Sequence, residues 1–217
     1  MARRLAAEFI GTLLLLVAVV GSGIMAQRLS GGNDGLALLA NAVATGAALV
    51  VLITVFAPLS GAHFNPAVTL FFALRGACGW AATILYGGAQ CVGAILGVWL
   101  THAMFGLPVL QASAHLRDGP PLGLAELVAT FGLLLTILGG LRAAPRNVPA
   151  LVGLYITGAY WFTASTAFAN PAVTLARSLT GSFSGIAAGS VPLFLAAQLG
   201  AAIMAAPLLG WLFAPRS

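Results

Sequence analysis

The hexapeptide Asn-Pro-Ala-Val-Thr-Leu occurs twice, at Asn65 to Leu70 and at Asn170 to Leu175, and such an exact return marks a duplicated unit. In each copy the Pro biases the preceding Asn out of the right-handed helical region, and the Asn side chain suits the capping of free amides. Pro66 and Pro171 fit the first helical position, where the N–H they lack would have no helical partner. Each hexapeptide therefore predicts an abrupt helix start, with helices from Pro66 to Leu74 and from Pro171 to Leu179. At a rise of about 1.5 Å per residue, such a helix reaches roughly 13 Å, less than half of a hydrocarbon core about 30 Å thick. Both are half-helices.

Composition says where half-helices of this kind belong. The 217 residues are 60% hydrophobic and only 6% charged, with a mean hydropathy of +1.05, which is more apolar surface than a soluble core can hide. A soluble helical bundle would need a polar outer face on most helices, and no long segment offers one. The net charge of +5 does not indicate nucleic acid, because the nine basic residues are all Arg and lie scattered between apolar runs. Cys78 and Cys91 match no metal-ligand spacing and read as small packing residues. No cofactor and no metal are expected, and the surrounding partner is membrane lipid.

Six long apolar runs follow in order: Leu5 to Ala26, Leu36 to Leu59, Trp80 to Phe105, Leu122 to Leu141, Val148 to Thr166 and Ile186 to Phe213. The second and fifth lead directly into the half-helices. The first is too long and too rich in glycine for a cleaved signal peptide. Residues 106–120, with His115, Arg117, Asp118 and a Gly-Pro-Pro turn signal, should link a first repeat over 1–105 to a second over 121–217 within one membrane domain. Ala7-Glu8 with Thr12 is echoed by Ala125-Glu126 with Thr130, and Ala89-Gln90 by Ala197-Gln198. Three spans per repeat force the second repeat to enter from the opposite side, which makes an all-α membrane protein with an inverted repeat whose discontinuous helices meet near the midplane.

Charge sets the expected orientation. With the N-terminus inside, Arg3, Arg4, Arg75, Arg142, Arg146 and Arg216 lie on the cytoplasmic side, whereas the outside carries Arg28 and Arg117, each near an Asp. Both termini are then cytoplasmic. Glu8 and Glu126 stand inside spans at matching positions, where a proton relay is one reading. The favoured reading is structural: backbone that dips into the membrane needs partners in protein, and Glu8, Glu126, Gln90 and Gln198 can supply them. Gly93 and Gly97 have the small-xxx-small spacing of a close helix crossing.

Ser60-Gly61-Ala62-His63-Phe64-Asn65-Pro66-Ala67-Val68-Thr69, the second Asn170-Pro171-Ala172, the Glu8 and Glu126 pair, and Tyr86-Gly87-Gly88-Ala89-Gln90 resemble the aquaporin, or major intrinsic protein, family along the whole chain. The resemblance implies a homotetramer of protomers with six transmembrane helices and two re-entrant half-helices, each conducting water or small neutral solutes passively. It implies that Asn65, Pro66, Ala67, Asn170, Pro171 and Ala172 form the pore motifs and that His63 lines the pore. Most members resembling this chain carry an Arg directly after the second Asn-Pro-Ala, where this chain has Val173. Arg177 stands one turn further along and is not expected to substitute for it. The family's spacing puts the other constriction positions at Thr45, Gly158 and Ala167, none of them an aromatic or a His. Such a filter is wide and weakly polar, and the pattern is similar to a bacterial branch linked to arsenic resistance.

The expectation is therefore a passive channel in a bacterial inner membrane for metalloid hydroxides such as arsenite, glycerol-like polyols and water. A water-selective channel is the first alternative, and a proton-coupled transporter using Glu8 or Glu126 the second. No nucleophile, base and orienting acid co-occur, so an enzyme is not expected and no catalytic residue is assigned.

Overall fold

The structure, a computed structural model, describes residues 1–214; Arg216, one of the expected cytoplasmic charges, lies outside the described residues. Eight α-helices follow one another, and no strand occurs among the described residues. They are α1 (Ala2–Leu29), α2 (Asp34–Ser60), α3 (Pro66–Leu74), α4 (Trp80–Met104), α5 (Pro120–Ala143), α6 (Val148–Phe162), α7 (Pro171–Arg177) and α8 (Val191–Leu212). Local chemistry sets several of the ends. Asn33 caps α2 by accepting from Leu36 N at 3.0 Å, and Gly61 closes it in the left-handed region at φ 90°, which costs glycine no Cβ strain.

α1, α2, α4, α5 and α8 are long and apolar enough to cross a bilayer. The sixth span, α6, has fifteen residues and is lengthened by a 3-10 turn at Pro145–Asn147 directly before it. It is shorter than the Val148 to Thr166 expected, because Thr163 leaves the helix at φ −113°, ψ 138° and the chain turns back toward the interior at Thr166 and Ala167, both with positive φ. α7 likewise stops at Arg177 and not at Leu179: Ser178 N and Leu179 N donate to Leu175 O and Ala176 O, so the last turn tightens to three-residue spacing.

The packing has the internal symmetry expected of an inverted repeat. α1 packs on α2 and α4, as α5 packs on α6 and α8, and α2 meets α6 across the middle. Each half-helix leans on the last span of the other half, α3 on α8 and α7 on α4, and the two half-helices touch. Glycine sets the close crossings. A Cβ on Gly153 of α6 would come within 2.6 Å of Gly46 O on α2, and one on Gly46 within 2.7 Å of Gly153 O. Gly93 and Gly97 do the same service for α4 against the Phe9 and Leu13 carbonyls of α1. Large side chains such as Ile84, Leu124, Leu154 and Trp211 are exposed on the outer faces, as a lipid-facing surface requires.

The connection between the halves runs along the segment after α7. Ser113 N donates to Ser178 O at 3.0 Å, Ala187 N to His115 O at 2.7 Å, and Arg117 N to Ser190 Oγ at 3.1 Å. His102 is fully buried; its ring nitrogens sit 2.8 Å from Val109 O and 2.9 Å from Thr180 Oγ1, tying α4 to both connections.

Candidate functional site

The two repeated motifs meet at their helix starts. Asn65, extended at φ −154°, accepts from Ala67 N at 2.9 Å and donates from Nδ2 to Ala169 O at 2.7 Å. Asn170 mirrors it: its Oδ1 accepts from Ala172 N at 3.0 Å and Val173 N at 3.3 Å, and its Nδ2 donates to Phe64 O at 2.8 Å. Each amide thus caps its own half-helix and bonds the backbone that leads into the other. An Asn amide nitrogen carries two N–H donors, so one on each residue is left over. Pro66 and Pro171 open the helices, and Ala67 and Ala172 are fully buried behind them.

The backbone before each Asn is strained. Ala62, Phe64, Thr166, Ala167 and Ala169 all have positive φ without being glycine. Such residues cost of order 1 kcal/mol each and persist only where neighbours over-determine them. Ala62 N and Ala167 N are held by the Ser60 and Ser165 hydroxyls, and Phe64 N and Ala169 N by the paired carboxylates. Glu8 accepts from Ser60 Oγ (2.6 Å), His63 N (3.0 Å), Phe64 N (2.7 Å) and Gln90 Nε2 (2.8 Å). Glu126 accepts from Phe168 N (2.9 Å), Ala169 N (2.8 Å) and Gln198 Nε2 (2.6 Å). Gln90 and Gln198 also donate to Thr69 Oγ1 and Thr174 Oγ1, at 3.0 Å and 2.8 Å, anchoring the half-helices themselves. All four side chains are fully buried, and none of them lines the cavity described next.

A cavity of about 580 Å³ runs between the two motifs. At one end its wall includes His63, Pro145 and Arg146; both motif Asn residues line it; and it passes Thr45, Ala167 and Val173 to reach Arg177. The wall is largely aliphatic, with Leu15, Val19, Leu49 and Ile53 opposite Val152 and Ile156. His63 is held by stacking on Phe72, ring centroids 4.9 Å apart, with Nδ1 3.1 Å from Thr69 Oγ1.

One expected wall position moves. Gly158 does not line the cavity; its missing side chain would face Phe162. The face that α6 turns inward carries Val148, Val152, Ile156 and Tyr160, spaced one helical turn apart, and Tyr160 donates from its hydroxyl to Thr45 Oγ1 at 3.3 Å. An aromatic therefore stands beside Thr45 where the family's spacing put a glycine. The loop from Thr163 to Ala169 sets the offset between α6 and Asn170, and counting back across it overshoots by two residues. The four-residue period of Val152, Ile156 and Tyr160 is the sequence signal for the residue of α6 that lines the cavity here.

A second, smaller cavity of about 220 Å³ lies beyond, lined by Asp34, Asn41, Arg117, Thr166 and Phe183, with Arg177 again. Arg117 donates from Nε to Gly185 O at 3.0 Å, and burial lowers its guanidinium from the ordinary value against the opposing charges of Glu126 and Tyr160.

Comparison with known proteins places this geometry. The family described as Major intrinsic protein matches residues 1–163. The chain belongs to the major intrinsic protein family. It is 57% identical over 213 residues to aquaglyceroporin AqpS of Rhizobium meliloti, covering 98% of this chain and 91% of that protein. It is 36% identical over 164 residues to aquaporin PIP2-7 of Arabidopsis thaliana, covering 71% of this chain and 59% of the plant protein. The fold is that of the X-ray structure of the aquaglyceroporin from Plasmodium falciparum, with a TM-score of 0.74 over 94% of this chain and 93% of that one, at 21% identity. In this family member six spans and two re-entrant half-helices accordingly form an aquaporin-like membrane protein.

Proposed function

We propose that the chain is a passive channel for small neutral solutes of the glycerol type, with water and metalloid hydroxides such as arsenite among its permeants. The observation that carries this reading is the cavity between facing half-helices, where Asn65 and Asn170 each keep one amide donor free beside an aliphatic wall. A neutral polyol offers hydroxyl oxygens to those donors and its carbon side to the apolar wall. The helix starts turn partial positive charge toward the same point, which disfavours cations and protons. The overall likeness to aquaglyceroporin AqpS supports the same solute class.

Thr45, Tyr160, Ala167 and Val173 are the residues we assign to the narrow part of the pathway, Tyr160 replacing Gly158 in the sequence-based set. Val173 in place of a cation leaves that level weakly polar, which suits solutes wider than water. Glu8 and Glu126 act as braces for the re-entrant backbone; their oxygens accept from backbone N–H groups, glutamine amides and the Ser60 hydroxyl, and their side chains lie off the cavity, which supports bracing over proton relay. Both termini lie on the cytoplasmic side in this reading, and four protomers assemble, each with its own pathway. The test is a swelling assay on proteoliposomes with glycerol, arsenite and water in parallel. Glycerol and arsenite entry above that of empty vesicles, independent of a proton gradient, is expected; entry that collapses with the gradient would favour a coupled transporter.

A further inference from the structure

Arg177 is the residue shared by the two cavities, standing where the larger ends and the smaller begins. It is only 2% exposed. Its position is fixed from two sides: Nε donates to Ser184 O, and the guanidinium lies over the Phe168 ring with its carbon 3.4 Å from the centroid. Phe168 is in turn held through its backbone N–H by Glu126. The two terminal nitrogens of Arg177 make no hydrogen bond among the described residues. A guanidinium has five N–H donors, so four are left to a side chain that is almost wholly buried and borders open space on both sides.

From this placement we propose that Arg177 is the specificity-determining residue at the outer end of the pathway, donating to solute hydroxyls and barring cations between the two cavities. The proposal rests on the channel reading above and sharpens it. Val173 and Arg177 are one turn apart on α7 and line the same cavity, so the cation absent from position 173 is supplied from position 177. This reverses the expectation drawn from sequence, in which Arg177 was too far along the helix to serve. The polar groups facing it in the outer cavity fit the role. Arg117, whose guanidinium carbon lies 5.2 Å from the centroid of the same Phe168 ring, adds a second positive charge, and Asp34 and Asn41 offer acceptors on the approach. A polyol entering from that side meets acceptors first and then the fork of Arg177; a monovalent cation meets two fixed positive charges in a confined space, where they act more strongly than in bulk water.

Two substitutions separate charge from shape. Arg177→Gln keeps amide donors and removes the charge; Arg177→Lys keeps the charge and replaces the planar fork with a flexible stem. In proteoliposomes, Arg177→Gln is expected to raise proton and potassium leak several-fold over the parent. Arg177→Lys is expected to hold the leak at the parental level while changing the glycerol-to-xylitol flux ratio at least several-fold. If both assembled variants match the parent in leak and in that ratio, or lose only thermal stability, Arg177 is a brace for α7 and the proposal is wrong. Should Arg177→Gln fail to assemble, Arg177→Lys decides alone, an unchanged flux ratio overturning the proposal. A parent protein that conducts no neutral solute would sink the channel reading and this one together. A parent whose glycerol flux is abolished by Asn170→Leu, beside silent Arg177 variants, would sink this one only.

Discussion

Asn170 divides one amide among several tasks: its oxygen accepts from two backbone amides of α7, one of its donors goes to Phe64 O, and the other remains for the cavity. Asn170→Leu removes all of these at once. The lost cap alone is worth about 1 kcal/mol, and the Phe64 carbonyl is left with an unmet buried acceptor. Glycerol flux per assembled protein should therefore fall sharply in Asn170→Leu and in its counterpart Asn65→Leu; full flux in a correctly folded variant would show that the motifs do not line the pathway. Val173 permits the converse test, since it is 5% exposed and lines the cavity one turn before Arg177. Val173→Arg would place a second guanidinium on the same face of α7. Its bulk should cut glycerol and arsenite flux several-fold and water flux less, because the wider solutes are excluded first. Equal fluxes in mutant and parent would remove Val173 from the narrow part.

The half-helices were legible because their starts are written in local chemistry: an Asn that caps and a Pro that lacks an N–H dictate where α3 and α7 begin without reference to the rest of the chain. Their partners were legible by symmetry, since Glu8 and Glu126, and Gln90 and Gln198, recur at matching places. What escaped the sequence was set by tertiary context. The turn-back after Phe162 depends on positive φ at Thr166 and Ala167, which no residue type there announces, and counting back across it pointed to Gly158 where Tyr160 lines the cavity. The role of Arg177 depends on Phe168 and Ser184, which meet it only in the fold. Strain of this kind makes a prediction for the bracing element. In Glu126→Gln one carboxylate oxygen becomes an NH₂ that faces N–H donors, so at least one of the bonds to Phe168 N and Ala169 N is lost. Hydrogen bonds to a charged group are worth about 2 kcal/mol each. The variant should show lower folded yield and a lower melting temperature in detergent, with flux per assembled molecule changed much less. Normal yield and stability with loss of gradient-dependent transport would return Glu126 to the role of proton carrier.

At the scale of the whole molecule the two mouths of the pathway differ in charge, and that difference predicts which way the protein sits. One mouth is bordered by Pro145 and Arg146, between α5 and α6, on the side where Arg75 ends α3 and Arg142 closes α5. The other is bordered by Asp34 and Arg117. An excess of Arg on short loops marks the cytoplasmic side, so the Arg146 mouth should face inward and the Arg177 constriction outward. The two native cysteines make the test direct. Cys78 lies in the short connection between α3 and α4, on the Arg75 side, whereas Cys91 lies within the α4 span; both are free thiols. A membrane-impermeant maleimide should therefore label Cys78 in inverted vesicles and leave right-side-out vesicles unlabelled. Leu116→Cys, at a position 76% exposed in the connection between the halves, should add a site with the opposite pattern. Labelling of Cys78 from the outside would invert the molecule, putting Arg177 at the cytoplasmic mouth and the Arg146 mouth outside; a passive pathway would then meet the same constriction in both directions, only at its other end.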